Sequence, residues 1–320
     1  MMIPKGHNPK GLALIIRGLI HLYRLENSRK YLEDARRLAE IIISQRARDR
    51  DYFCVGYDFF WQAKAFTVPE FTPNMIVSTF AGQALMDLYE IDGDDEWLRY
   101  VLEIGEFIEK ELKLLETDEE IAFGYIPGER VIVHNANLMG SGFFARLFTH
   151  AENSLYRGYA IKSAQYSVNA QRGDGAWVYG EKEHFQWVDN FHTGFNLVSL
   201  NAVQQFLGMD RWESNIKSGL EYHLEHHFLD DMTPKYYDRK LYPLDIHNFA
   251  QGIDTMLTFG YSDKAEQLLR RCIDQFWDEK ENYFYYQKTK LYTNRINYIR
   301  WSQAWMFYAL TKYFLLNNNR

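Results

Sequence analysis

The chain has 320 residues, with 36 Lys and Arg against 43 Asp and Glu, for a formal charge of -7. That balance excludes a nucleic-acid surface built on a basic stripe, and no Lys/Arg cluster accompanies the aromatic residues. Two cysteines, Cys54 and Cys272, are too few for a disulfide framework and fit a reducing, cytoplasmic setting. The apolar stretch 11–23 contains Arg17 and His21 and is too short to span a bilayer, so a soluble protein is expected.

Apolar residues make 47% of the chain and aromatic ones 17%, including 23 Tyr. The first figure supports a large core. The second is high for a helical bundle and suggests stacking platforms, because a sugar ring presents a C–H face to an aromatic ring. No Pro/Gly/Ser-rich linker divides the chain, and one body over 1–320 is expected.

Apolar spacing at i, i+3, i+4 and i+7 predicts helices at 9–23, 28–46, 73–90, 95–115, 136–150, 154–170, 190–207, 211–227, 247–259, 262–276 and 298–316. They form five pairs plus one. Each pair turns on capping residues such as Asn27-Ser28, Asp94-Asp95 or Asn153-Ser154. Between pairs run related aromatic segments: Val55-Gly56-Tyr57, Phe123-Gly124-Tyr125, Trp177-Val178-Tyr179, Lys235-Tyr236-Tyr237 and Phe284-Tyr285-Tyr286. These read as short β-like loops on one face.

The first helix of each pair is apolar on almost every side, as at Phe80, Leu85, Met86 and Leu88. The second is amphipathic, as at Glu103, Glu106 and Glu109. An all-round apolar helix is an inner one and an amphipathic helix an outer one. The expected fold class is therefore all-α, an (α/α)6 toroid of repeated hairpins with an incomplete sixth pair.

Each inner helix opens on a polar cluster: Thr72-Pro73-Asn74, His134-Asn135-Ala136-Asn137, Asp189-Asn190-Phe191-His192, Asp245-Ile246-His247-Asn248 and Arg300-Trp301-Ser302-Gln303. Stacked hairpins bring equivalent ends together, so these clusters should gather on one rim. Asp189, His192, Asp245 and His247 are the candidate acids and bases there, joined by Asp58, a carboxylate set among Tyr57, Phe59, Phe60 and Trp61. Candidate substrate ligands are Trp61, Asn74, Asn135, Asn137, Trp177, Tyr179, Asn190, Asn248, Arg300 and Trp301. Neither a metal nor a cofactor is expected.

Two attractive spellings fall elsewhere. Asp92-Gly93-Asp94-Asp95 matches an acidic D-x-D-D but lies in an inner-to-outer turn, where capping residues belong. His223, His226 and His227 share a helix but lack the Glu of an H-E-x-x-H zinc motif.

The alternation of inner and outer helices resembles the toroids of six-hairpin glycosidases, polysaccharide lyases, uronyl epimerases and terpenoid cyclases. Gln171-Arg172-Gly173-Asp174-Gly175-Ala176-Trp177 is similar to the Q-x-x-x-G-x-W repeat of terpene cyclases. Gly175–Tyr179 followed by Asp189–Phe195 resembles polysaccharide-biosynthesis proteins of the VpsJ type. The resemblance implies an oligosaccharide or polysaccharide partner and hydrolase, lyase or epimerase chemistry, with a uronate among the sugars considered. A non-catalytic glycan-binding protein is the alternative, and an isoprenoid cyclase fits less well.

Overall fold

The computed structural model describes residues 6–62, 64 and 66–318. Among them, eleven α-helices alternate between an inner and an outer layer. The inner helices are α1 (Pro9–Glu26), α3 (Met75–Asp92), α5 (His134–Ala151), α7 (Asn190–Leu207), α9 (Ile246–Thr258) and α11 (Ala304–Asn317). The outer ones are α2 (Arg29–Ser44), α4 (Asp95–Phe107), α6 (Ser154–Asn169), α8 (Glu213–His227) and α10 (Ser262–Phe276).

Burial separates the layers as the apolar patterns require. Thirteen of the 18 residues of α3 are buried, against three of 16 in α2. The inner helices touch in the order α1, α3, α5, α7, α9, α11 and back to α1, so the inner ring closes completely. Among the described residues the outer layer has five helices, and α11 has no hairpin partner. Where the inner ring closes, α1 and α11 pack closely: a methyl group at Gly18 would lie 2.6 Å from the Phe307 ring of α11, which would have to move. No helix among the described residues is long and apolar enough to cross a membrane.

The expected helices 190–207 and 262–276 form with those bounds. The expected helix 95–115 does not continue to its end. It passes into a π turn at Ile108–Leu112, after which Lys113–Glu116 pairs with the fully buried strand Ile121–Phe123. Apolar spacing cannot separate these outcomes, and the tertiary pairing decides. The last inner helix likewise begins with a π turn, Ile299–Gln303, which carries Arg300 and Trp301. The aromatic loops form small antiparallel pairings, the largest being three two-residue strands at Leu244–Asp245, Gln287–Lys288 and Thr293–Asn294.

All the inner helices start at the same end of the ring, and four of the six starts, those of α3, α5, α7 and α9, are bonded to the following aromatic loop. The N–H groups of Met75, His134, Asn190 and Ile246 donate to the carbonyls of Tyr125, Tyr179, Tyr236 and Tyr286 at 2.9–3.2 Å. The first N–H groups of a helix lack internal partners, and here a tyrosine of the next repeat supplies one. A second tie runs from the first turns of the helices to the preceding loop. Asn137 Oδ1 accepts from the Phe123 N–H at 2.9 Å, Asn248 Nδ2 donates to the Lys235 carbonyl at 3.4 Å, and Gln303 binds both backbone groups of Phe284 at 3.1 and 2.8 Å. These ties place a tyrosine of each repeat at the mouth of the ring.

Candidate active site

The mouth is a cup of about 440 Å3, within the roughly 300–1,000 Å3 usual for small-ligand sites. Its lining follows a simple rule along the inner helices. The second residue after each N-cap position faces the cup: Ile76, Asn135, Phe191, His247 and Arg300. One turn further, Met139 and Phe195 form the floor. Tyrosines of the aromatic loops, among them Tyr57, Tyr125, Tyr179, Tyr236 and Tyr286, complete the wall. Burial pushes the hydroxyls of all five up, so they stay protonated at neutral pH and can donate to a ligand.

His192 and Asp189 form the most organised pair. Asp189 caps α7 by accepting the His192 N–H at 3.0 Å, and its other oxygen accepts from His192 Nδ1 at 2.6 Å and from Trp187 Nε1 at 2.9 Å. The Asp189 side chain is 2% exposed and the His192 side chain 21%. An acceptor-only carboxylate at Nδ1 keeps that nitrogen protonated, leaving Nε2 as the basic nitrogen of a ring that lines the cup. Tyr179 packs 4.6 Å from the His192 ring and stacks on Trp187.

His247 sits on the other side of Phe191, stacked on it at 4.8 Å and 14°, with Trp301 edge-on at 4.3 Å. Both of its ring nitrogens are buried without a hydrogen-bond partner. Burial first, then the charges of Lys10, His192 and Arg300, lower its pKa well below the ordinary value and keep it neutral. Asn135 Oδ1 is also buried and unpartnered. Buried polar atoms usually find partners, so these are positions a ligand can satisfy.

Among the candidate residues, Trp61, Asn135, Tyr179, Asp189, His192, His247, Arg300 and Trp301 come together on the cup. The others do not line it. Asp245 lies behind Trp301 and accepts from Trp301 Nε1 at 2.8 Å, Gln287 Nε2 at 3.0 Å and the His247 N–H at 2.9 Å. Burial raises its pKa to about 6 against these bonds. It positions His247 and Trp301. Asp58 accepts from Asn8 Nδ2 at 3.2 Å outside the lining. Asn74 caps α3, and Asn137 and Asn248 hold loops. Asn190 donates to the His227 carbonyl, and Trp177 Nε1 to the Ser167 carbonyl.

The Q-x-x-x-G-x-W stretch acts as a strut. Gln171 Nε2 donates to the carbonyls of Gly175 and Asn215, and Gly175, at φ +91°, leaves no room for a side chain against the Ser218 carbonyl. Asp94 caps α4, accepting from the Glu96 N–H at 3.0 Å, at the end of the ring away from the cup. His223 and His227 face each other through Nδ1 at 3.1 Å inside the core. No group of three His, Cys, Asp or Glu among the described residues is arranged to hold a metal.

The fold also assembles what the linear sequence lacks, a group of cations on aromatic rings. Lys10 Nζ lies 4.7 Å over Phe80, Lys64 Nζ 4.1 Å over Trp187, and Arg300 5.0 Å over Tyr57. All three line the cup. Among the loop tyrosines Tyr179 is one of the expected ligands, whereas Tyr57, Tyr125, Tyr236 and Tyr286 are not, nor is Lys10. The tyrosines recur once per repeat, which in principle exposes them.

This architecture is that of the (α/α)6 toroids, and solved structures of that class match nearly the whole chain. A cellobiose 2-epimerase from Bacillus thermoamylovorans B4167 is 12% identical, with a TM-score of 0.74, over 96% of this chain and 87% of that one. A D-mannose isomerase is 11% identical, with a TM-score of 0.73, over 98% and 88%. An unsaturated glucuronyl hydrolase specific for heparin is 11% identical, with a TM-score of 0.65, over 97% and 86%. No protein-family model matches the sequence, and no curated protein does.

Proposed function

We propose that the protein is a carbohydrate-modifying enzyme that moves a proton at the carbon next to a sugar carbonyl, as an epimerase or aldose–ketose isomerase. The observation that carries this reading is the pair of imidazoles flanking Phe191: His192, oriented by Asp189, and His247, neutral and unpartnered. Fold neighbours named as a cellobiose 2-epimerase and a D-mannose isomerase accord with it.

In this scheme the open-chain sugar presents C2–H to His192 Nε2, which removes the proton. The resulting enediolate is stabilised by donors held in place, the protonated tyrosine hydroxyls of the wall. The proton comes back from the His192 imidazolium, which ends neutral. Delivery to C1 gives the ketose, and delivery to C2 after rotation of the enediolate to present its opposite face gives the epimer, while His247 stays neutral and hydrogen-bonds a sugar oxygen. Hydrolysis needs two carboxylates flanking the glycosidic bond. Among the described residues Asp189 is the one carboxylate on the cup, and it is engaged by His192 and Trp187. The likeness of 175–195 to VpsJ-type proteins supports a place in building or tailoring a polysaccharide.

The test is incubation with a panel of reducing mono- and disaccharides, followed by NMR of the products. Conversion of at least one sugar to its C2 epimer or ketose, lost in His192→Asn, is the expected result. Saturable sugar binding with no conversion of any member would contradict the reading and favour a glycan-binding role.

A further inference from the structure

We infer that the sugar this cup accepts carries a compact oxyanion, a carboxylate or a phosphate, received between Lys10 and Arg300; the inference rests on the proposed sugar site. Lys10 lies at the floor, 5% exposed, its Nζ over Phe80, Phe195 and Trp305. Gly11, its neighbour in α1, packs directly on the backbone of Arg300, so the two cations come from adjoining elements. Arg300 lies over Tyr57, Phe59 and Trp301.

Neither cation forms an ion pair among the described residues. The contrast with the rest of the interior is sharp, since Arg17, Arg146 and Lys312 all contact carboxylates. The whole chain is acidic at -7, so acids were available to pair with Lys10 and Arg300. Burial first, then the Arg300 guanidinium, lower the Lys10 pKa well below its ordinary value; an arriving anion offsets that cost and favours the protonated amine. The aromatic faces hold the cations in place until then, and the third cation, Lys64, adds to the same field from the rim. His247, with both nitrogens unpartnered beside this pair, fits a group that offers several oxygens.

The experiment measures binding by titration calorimetry on the full chain in the His192→Asn background, so that turnover does not intrude. The probes are D-glucuronate, D-glucose 6-phosphate and D-glucose. At least one anionic sugar should bind about 10-fold or more tightly than glucose, the scale of a charge-assisted contact. The tighter of the two assigns carboxylate or phosphate. Lys10→Met, which keeps the volume among the rings, and Arg300→Gln should each erase most of that advantage while glucose binding persists. Arg270→Gln, on the exposed face of α10, should leave it intact.

Equal binding of all three sugars overturns the inference, and so does undetectable binding of both anions. An anion preference that survives both Lys10→Met and Arg300→Gln overturns it too. Cations that only stabilise the enediolate would give the equal-binding result. Because the readout is binding, loss of the preference sinks the substrate class alone, whereas wild-type protein that binds sugars without converting them sinks the proton-transfer reading alone.

Discussion

The two ends of the ring treat buried cations in opposite ways. At the end away from the cup, a cavity of about 510 Å3 is bordered by a closed charge network. Asp87 joins Arg17 at 2.9 Å and Arg146 at 2.5 Å, Glu90 joins Arg146 at 2.7 Å, and Asp254 joins Lys312 at 2.6 Å. The neighbouring guanidiniums overcome burial and hold the Asp87 carboxyl well below the usual range. At the cup, Lys10, Lys64 and Arg300 rest on rings, and the one lining carboxylate orients an imidazole. Phe195 and Met139 border both cavities and separate them. Charge at the far end is satisfied within the chain; charge at the cup is left open to a ligand.

The largest expected effects should fall on opposite properties. His192→Asn should lower turnover by about 10²–10⁴-fold, the usual worth of a positioned acid–base group, with the urea midpoint close to wild type. Asp87→Asn should do the reverse, costing about 3–5 kcal/mol in urea unfolding by leaving Arg17 and Arg146 under-paired, while the folded fraction keeps its turnover. If Asp87→Asn molecules that remain folded lose activity, the division between the ends fails. Asp189 acts through His192, so Asp189→Asn should cut kcat about 10²-fold or more with little change in KM, as when an imidazole loses the partner fixing its tautomer. A change confined to KM would instead make Asp189 a substrate ligand.

Acid should weaken the fold before it damages the cup. Burial lowers His134 to about 4 and, aided by Arg17 for His21, lowers His21 and His223 to about 3. Their folded values lie below the unfolded one, so the unfolded state binds more protons and stability falls as pH drops from about 6.5 toward 4. Asp245, raised to about 6, works the other way between about 6 and 4, because its protonated form suits its buried place. His227 and His247 are lowered in the same direction, so five imidazoles against one carboxyl give a net loss, at most about 1.4 kcal/mol per pH unit for each uncompensated group. Urea midpoints from pH 7 to 4 read this directly, and a flat profile would mean the imidazoles accept protons without loss of the fold.

The smallest effects belong to residues that hold the cup from behind. Asn137→Ala should cost about 1–3 kcal/mol, the penalty for stranding the Phe123 N–H and the Ser163 carbonyl. Asp94→Ala should cost about 1 kcal/mol through its lost cap and leave turnover untouched. A large loss of turnover in Asp94→Ala would restore a chemical role to the D-x-D-D run.

The ring was legible because the repeat is written in burial: apolar-all-round and amphipathic helices alternate along the chain. The polar clusters at the helix starts marked the correct end, but not which of their members face inward. Asn137 and Asn190 sit in the same clusters as Asn135 and His192, yet a step of one or two residues on a helix turns a side chain from the cup to a loop. Asp189 and Asp245 are both N-caps, and only the position of the next Trp, Trp187 beside one and Trp301 in front of the other, separates them. Lys10 follows the cap Asn8 by two residues, the same step as Asn135, Phe191 and His247 from their caps, but its charge acquires a role only through the fold. Its meaning comes from three rings contributed by α3, α7 and α11.

The most direct test of the account is solvent-deuterium exchange at sugar C2, followed by NMR in D2O with a sugar the protein binds. The account predicts incorporation of deuterium at C2 by the wild-type protein and by folded Asp87→Asn, and none above background by His192→Asn. Deuterium uptake that persists undiminished in His192→Asn, or none in the wild type with a bound sugar, would contradict it.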